Sequence, residues 1–199
     1  MQESKLSIVE QIVVVELQWN SIPMDRDYVK FHEKYEEATR NPSGSIIYAF
    51  EGRHAAYPIR SILYIGKTEA DDKKKRPDET AKARFYGKPR IMSCVYSDMT
   101  LRWTMIPNIS SDDMNKWAIT EQATTVRKGK KEEETPAKVL ERILIHAMKP
   151  ALNSHYADGY LPSAPYFRKL LVCNKGDKGL LLPVVYGDFY AHEEDWEPY

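Results

Sequence analysis

The stretch Ser61-Ile-Leu-Tyr-Ile-Gly-Lys-Thr68 is an apolar, β-like run, and it follows a similar one, Ser45-Ile-Ile-Tyr-Ala-Phe50. Along an extended chain, successive side chains point to opposite faces. Ile46, Tyr48 and Phe50 are therefore expected on one face of the first strand, and Ile62 and Tyr64 together on one face of the second. Two phenols pointing the same way from neighbouring strands would form the floor of a site. Gly66, Lys67 and Thr68 follow directly behind. The connection, residues 51–60, is longer than a tight turn and contains Gly52 and Pro58. It is expected to form a lip over that floor.

Working outward, Ile8 to Trp19 is rich in Val, Ile and Leu and predicts a strand. Met24 to Thr39, with Asp25 near its start, predicts a helix, and Asn41-Pro42-Ser43-Gly44 a turn. On the other side, Asp78 can cap a short helix through Tyr86 that Gly87 and Pro89 would end. Leu101 to Ile106 then alternates as a third strand. Ser110 or Ser111 can cap a helix with Met114, Trp117, Ala118 and Thr125 near one face, and the charged segment 127–134 reads as an exposed loop.

Thr135 followed by Pro136 is a good N-cap and first-turn pair. Val139, Leu140, Ile143, Leu144, Ala147 and Met148 then recur at helical spacing until Pro150. Finally, Leu170–Asn174 and Leu180–Tyr186 flank Lys175-Gly-Asp-Lys-Gly179, which reads as a β-hairpin.

The chain has 199 residues, 42% hydrophobic and 29% charged, enough for a real core in one elaborated domain. No apolar run is long enough to cross a bilayer, and the opening MQESKLSIVEQ lacks the order of a secretory leader. A cytoplasmic chain with no membrane partner is the expectation. Cys94 and Cys173 fall in no CxxC pattern, which argues against structural zinc or a disulfide framework.

Net charge is zero, with 29 Lys and Arg balanced by 29 Asp and Glu, so bulk charge does not point to nucleic acid. Its distribution does. Lys73, Lys74, Lys75, Arg76, Lys82, Arg84, Lys88 and Arg90 crowd residues 73–90, directly after the second phenol strand. Such runs are usually solvated faces, but beside a candidate site this one can hold phosphates.

Glu141 sits at the edge of the apolar stripe of the helix begun by Thr135, where a carboxylate needs a reason. The ordered set Tyr48, Tyr64-Ile65-Gly66, Arg84, Glu141, Lys149-Pro150, Asn153 resembles the GIY-YIG nucleases, and most of all their type II restriction enzymes. The second signature element matches in full. The first reads Ile46-Ile47-Tyr48, with isoleucine in place of the family's glycine.

The resemblance covers roughly residues 44–154. It implies an α/β (α+β) fold, with a small, mainly antiparallel three-stranded sheet flanked by helices. Residues 1–43 would then be an N-terminal strand and helix extension, and 155–199 a C-terminal hairpin extension.

It further implies a divalent-metal-dependent DNA endonuclease with catalytic Tyr48, Tyr64, Lys67, Arg84 and Glu141. Glu141 would hold one Mg²⁺ or Mn²⁺, Arg84 would grip the scissile phosphate, and Tyr64 would be the general base, with Tyr48 positioning the water. A phenol near its usual pKa of about 10 needs nearby positive charge for that task, from Arg84, Lys67 or the metal. Lys74, Lys88, Arg90 and Asn153 are candidate DNA contacts, and a homodimer is expected.

Two departures keep alternatives open. Members of the family commonly carry a histidine or tyrosine one helical turn after the arginine. Here that place falls on Lys88, with Tyr86 nearby and Arg76 as a rival for the arginine itself. A catalytically degenerate DNA-binding protein, or a repair or mobile-element nuclease selecting DNA structure, are the other readings.

Overall fold

The run Ile46–Phe50 is apolar at every position because it lies inside a sheet covered on both faces. The computed structural model describes residues 13–39, 44–55, 57–69, 76–86, 95–106, 124–127, 130–133, 135–153 and 170–186. In chain order the elements are β1 (Val13–Pro23), α1 (Tyr28–Ala38), β2 (Ile46–His54), β3 (Tyr57–Thr68), α2 (Pro77–Ala81) with a π-helical turn (Lys82–Tyr86), and β4 (Tyr96–Met105). They continue with β5 (Thr124–Arg127), β6 (Lys130–Glu133), α3 (Pro136–Met148), β7 (Leu170–Gly176) and β8 (Val184–Tyr186). Among the described residues no helix is long and apolar enough to cross a membrane.

The fold is α+β, as expected, but the sheet is larger than the three antiparallel strands the sequence suggested. Those three are present as β3-β2-β4, and they form half of a six-stranded mixed sheet in the order β3-β2-β4-β1-β7-β8. β1 runs antiparallel to β4, while β7 lies parallel to β1 from Val13↔Leu170 to Trp19↔Gly176. The N-terminal strand and C-terminal hairpin are therefore integral to the sheet. The reason is burial: Val15, Leu17 and Trp19 alternate with exposed residues and find their apolar partners in Leu170 and Val172 next door.

Each face carries its own core. On one, α3 packs Val139, Leu140, Ile143 and Leu144 against Ile47, Ala49, Ile62 and Ile65. On the other, α1 and the α2 segment cover Tyr48, Phe50, Leu101 and Trp103 with Phe31, Tyr35, Ala81 and Phe85. Helix α3 starts as predicted: Thr135 is its N-cap and accepts from Lys138 N, and Pro136 occupies the first turn. It ends at Lys149 in the left-handed conformation, φ 45°, just ahead of Pro150.

Several expectations are corrected. β1 is described from Val13 and runs on to Pro23, because pairing with β4 continues to Thr100. Helix α1 begins only at Tyr28, since Asp27 rather than Asp25 is the cap and accepts from Val29 N at 2.9 Å. No lip spans residues 51–60: β2 and β3 continue to His54 and Tyr57, which leaves only residues 55 and 56 between them. Residues 127 and 130–133 belong to a two-stranded ribbon, β5-β6, instead of a loop.

Asp78 does not cap α2, whose N-cap is Arg76; it is buried in the first turn. The helix predicted from Ser110 or Ser111 cannot extend to Thr125, which lies in strand β5; the rest of it, the turn at 41–43 and Cys94 lie outside the described residues. Cys173 is a free, half-buried thiol.

Candidate active site

Tyr48 is placed by the middle of β2 and Tyr64 by edge strand β3, with their ring centroids 6.2 Å apart. The register pairs Tyr48 with Gly66 and Phe50 with Tyr64, so the three rings share one face. Gly66 is glycine for a packing reason. A Cβ there would lie 2.6 Å from both Cζ and the hydroxyl oxygen of Tyr48, and 2.8 Å from Cε1 of Tyr64. Its bare backbone lets the Tyr48 ring extend across β3 toward the open side of the sheet.

The strict alternation that put Ile62 beside Tyr64 fails. The register shifts between Phe50↔Tyr64 and Glu51↔Ile62, leaving Leu63 without an opposite residue. This irregularity reverses the phase of β3, so Ile62 faces α3 while Tyr64 faces the α2 segment.

Arg84 is carried by the π-helical turn. Its guanidinium carbon stands 4.1 Å from the centroid of the Tyr64 ring, and the side chain is exposed. Arg76, the rival, is committed elsewhere: it pairs with Glu36 and with Asp78 at 3.1 Å, and lies over Tyr35. Tyr86 does not stand in for the missing turn-spaced partner, because its hydroxyl donates to the Asp25 carbonyl. Lys67 is also not brought to the tyrosines. It is opposite Ile47, on the α3 face, and pairs with Glu69, which in turn accepts from the Thr135 hydroxyl at 3.0 Å. Among the described residues, the guanidinium of Arg84 is the cation placed against Tyr64.

Glu141 is half-buried at the margin of α3, as its place beside the apolar stripe required. Its charge reaches Tyr48 and helps to raise that phenol's pKa. β3 is the edge strand of the sheet, next to both layers.

The segment after α3 seals the same edge. Leu152 N donates to the Leu63 carbonyl, and the Asn153 amide both accepts from Ile65 N at 2.9 Å and donates to Ile65 O at 2.8 Å. Both ends of the Asn153 amide thus bind the Ile65 backbone, which makes it a tie next to Tyr64. Lys74, Lys88 and Arg90 lie outside the described residues.

Tyr48 is 2% exposed, and its hydroxyl is 2.8 Å from Thr80 Oγ1 of α2. Burial first and then the neighbouring Tyr64 push its pKa far above that of a free phenol; the Thr80 hydrogen bond opposes them, Glu141 adds a smaller push, and Arg84 opposes least. Burial thus favours the protonated form of Tyr48, which suits it to donate a hydrogen bond and to position a partner.

A divalent cation fits this donor set. Glu141 offers hard oxygen ligands, and a single carboxylate leaves the remaining positions to water and phosphate. The sequence reading missed a second group: ligand atoms of His32, Glu36 and Asp78 lie within 4.8 Å of one another. His32 and Glu36 are one helical turn apart, a legible signal, but Asp78 comes from another element. Arg76 pairs with both acids and His32 with Asp78, so the group compensates its own charge.

Compared with known proteins, the chain matches no family model, no curated protein and no solved structure, and its site is read from its own geometry.

Proposed function

We propose that the chain is a divalent-metal-dependent DNA endonuclease of the GIY-YIG kind, working as a type II restriction enzyme in a homodimer. One observation carries this reading. Tyr48 and Tyr64 share one face of the sheet, the guanidinium of Arg84 lies against Tyr64, and the charge of Glu141 reaches Tyr48.

Phosphodiester hydrolysis needs an activated water, neutralisation of charge on the phosphate, and a proton for the leaving oxygen. Tyr64, half-buried and against Arg84, takes the proton from the attacking water in its phenolate form, and solvent water supplies the proton for the leaving oxygen. Tyr48, held protonated, donates a hydrogen bond that orients the water or a phosphate oxygen. Arg84 is exposed beyond the Tyr64 ring, where its planar fork can bind two phosphate oxygens at once. Glu141 would hold one Mg²⁺ or Mn²⁺, which supplies Lewis-acid stabilisation of the phosphate when bound.

A second reading, a DNA-binding protein on an inactive scaffold, is favoured by one feature: Lys67, expected in the site, and Tyr86, the neighbour of the missing turn-spaced partner, are engaged away from the tyrosine pair. Cleavage separates the two. Purified wild type and Glu141→Ala are incubated with plasmid and phage DNA in Mg²⁺, Mn²⁺ or EDTA. Discrete metal-dependent fragments, lost in the variant, are expected. DNA binding without any cleavage would put the inactive scaffold first, and preference for nicked or branched DNA would favour a structure-selective nuclease.

A further inference from the structure

A cavity of about 500 Å³ lies where the end of β1, the start of β4 and the π-helical turn meet, and the hydrolytic chemistry above uses none of it. Pockets of this size commonly hold small organic ligands. Met24, Met99 and Tyr96, all half-buried, give it flat and polarisable walls, and buried Phe85 stands against Tyr96 with the ring centroids 5.5 Å apart. The polar lining has both signs. Arg60 is anchored through Nη2, which donates to Thr100 Oγ1 at 2.6 Å and pairs with the buried carboxylate of Glu51 at 3.4 Å, while the side chain remains 36% exposed. Asp25 and Asp98 supply carboxylates, and Asp98 holds a left-handed backbone, φ 52°, an uncommon conformation of the kind that gathers at binding sites.

This lining selects among ligands. A phosphate would meet Asp25 and Asp98, and a hydrocarbon would take water from Arg60 and both carboxylates without replacing its hydrogen bonds. A nucleobase suits both parts: its face stacks on the ring and the thioethers, and its edge carries donors and acceptors together. Phe85 follows Arg84 directly in the π-helical turn, and Tyr64, Phe50, Phe85 and Tyr96 form one row of rings with successive centroids 6.3, 5.0 and 5.5 Å apart. The cavity is thus a short way along a strand whose phosphate is held by Arg84. We propose that this cavity receives an unstacked base of the DNA strand near the scissile phosphate, with Tyr96 as its stacking platform and Arg60 as a donor to its edge. The inference rests on the nuclease reading above for its ligand, and adds a site that the reading does not contain.

Two of the chain's 7 methionines, Met24 and Met99, line the cavity, so NMR of isotope-labelled methionine methyl groups reads it directly. Met24→Leu and Met99→Leu assign the two signals. In EDTA, the protein is titrated with a short single strand of mixed sequence, the same strand made abasic throughout, a duplex with one central mismatch, and free deoxynucleoside monophosphates. The base-containing strand and the mismatched duplex are expected to shift both signals, and the abasic strand neither. Tyr96→Leu removes the ring and Arg60→Gln the charge; each is expected to weaken binding of the base-containing strand roughly ten-fold, with thermal melting as the control on folding.

Equal shifts with the abasic strand, no shift with any DNA, or shifts with the free nucleotides alone would overturn the assignment. Folded variants of wild-type affinity would overturn it as well. Plasmid cleavage by wild type in Mg²⁺ is followed separately, and cleavage alongside any of those results leaves the nuclease reading intact. Shifts from DNA without cleavage would instead remove that reading and keep the cavity as the base site of a DNA-binding protein.

Discussion

Gly66 lies directly under the ring of Tyr48, across one rung of the β2–β3 ladder. Because Phe50 and Tyr64 hold that ring from its other sides, it cannot swing away from a new methyl group. Gly66→Ala is therefore expected to displace Tyr48 from its site and to cost about 1–3 kcal/mol through overpacking. Urea unfolding would measure the cost. Activity per folded molecule should fall as well, since the phenol itself is moved; a variant of wild-type stability would mean that the ladder accommodates a Cβ there.

Asn153 closes two hydrogen bonds on the Ile65 backbone at the open edge of β3. Asn153→Ala leaves both partners without their protein bond, at a cost of about 1–3 kcal/mol. Asn153→Asp should do no better, because a carboxylate can still accept from Ile65 N but repels Ile65 O. Hydrogen exchange at the Ile65 amide is the direct check: protection should drop in both variants, next to Tyr64. Unchanged protection would show that water replaces the side chain at no cost.

Much of this site was legible because its signals are local. Thr135-Pro136 and the stripe from Val139 to Met148 fix α3 and so locate Glu141, and the apolar runs around Tyr48 and Tyr64 fix the central hairpin. What was missed depends on distant partners. β1 and β7 are separated by most of the chain, and neither run by itself says that they pair in parallel. The extra residue at Leu63 reverses Ile62 relative to Tyr64, and Ile62-Leu-Tyr-Ile reads the same with or without it. The π-helical turn that aims Arg84 at Tyr64 has no marker in Lys82-Ala-Arg-Phe-Tyr86 either.

Another such long-range device is the buried carboxylate of Glu51 on β2. It accepts from Arg102 Nε on β4 and from Leu180 N beyond β7, both at 2.7 Å, and Arg102 goes on to bind Asp177. Glu51 is fully buried and Arg102 is 8% exposed. Glu51→Ala leaves Arg102 with only the exposed Asp177 to compensate it and Leu180 N without its acceptor, and is expected to cost about 3–5 kcal/mol. The Glu16–Lys175 pair links the same sheet at its surface, with both side chains more than half exposed. Its loss in Lys175→Ala should stay within about 1 kcal/mol. Urea midpoints for the two variants compare them directly, and equal small losses would mean that water reaches Arg102 once Glu51 is gone.

Alkaline pH offers a test of the burial of the aromatic layer as a whole. Unfolded phenols lose their protons near pH 10. In the fold, burial first and then the charge of Asp78 push Tyr35 up to about 12, and Tyr48 is held higher still by burial, Tyr64 and Glu141. Above about pH 10 the unfolded chain therefore binds fewer protons than the folded one, and stability falls as pH rises. Below about pH 9 these groups contribute no slope, because both states are protonated. Each phenol that stays neutral in the fold adds a loss of up to about 1.4 kcal/mol per pH unit. The Tyr35 contribution levels off near pH 12, whereas that of Tyr48 continues. Urea midpoints taken between about pH 9 and 11 should decline with this slope, and Tyr35→Phe should reduce it by the share of one phenol. A flat profile for wild type would mean that both hydroxyls reach water in the folded state.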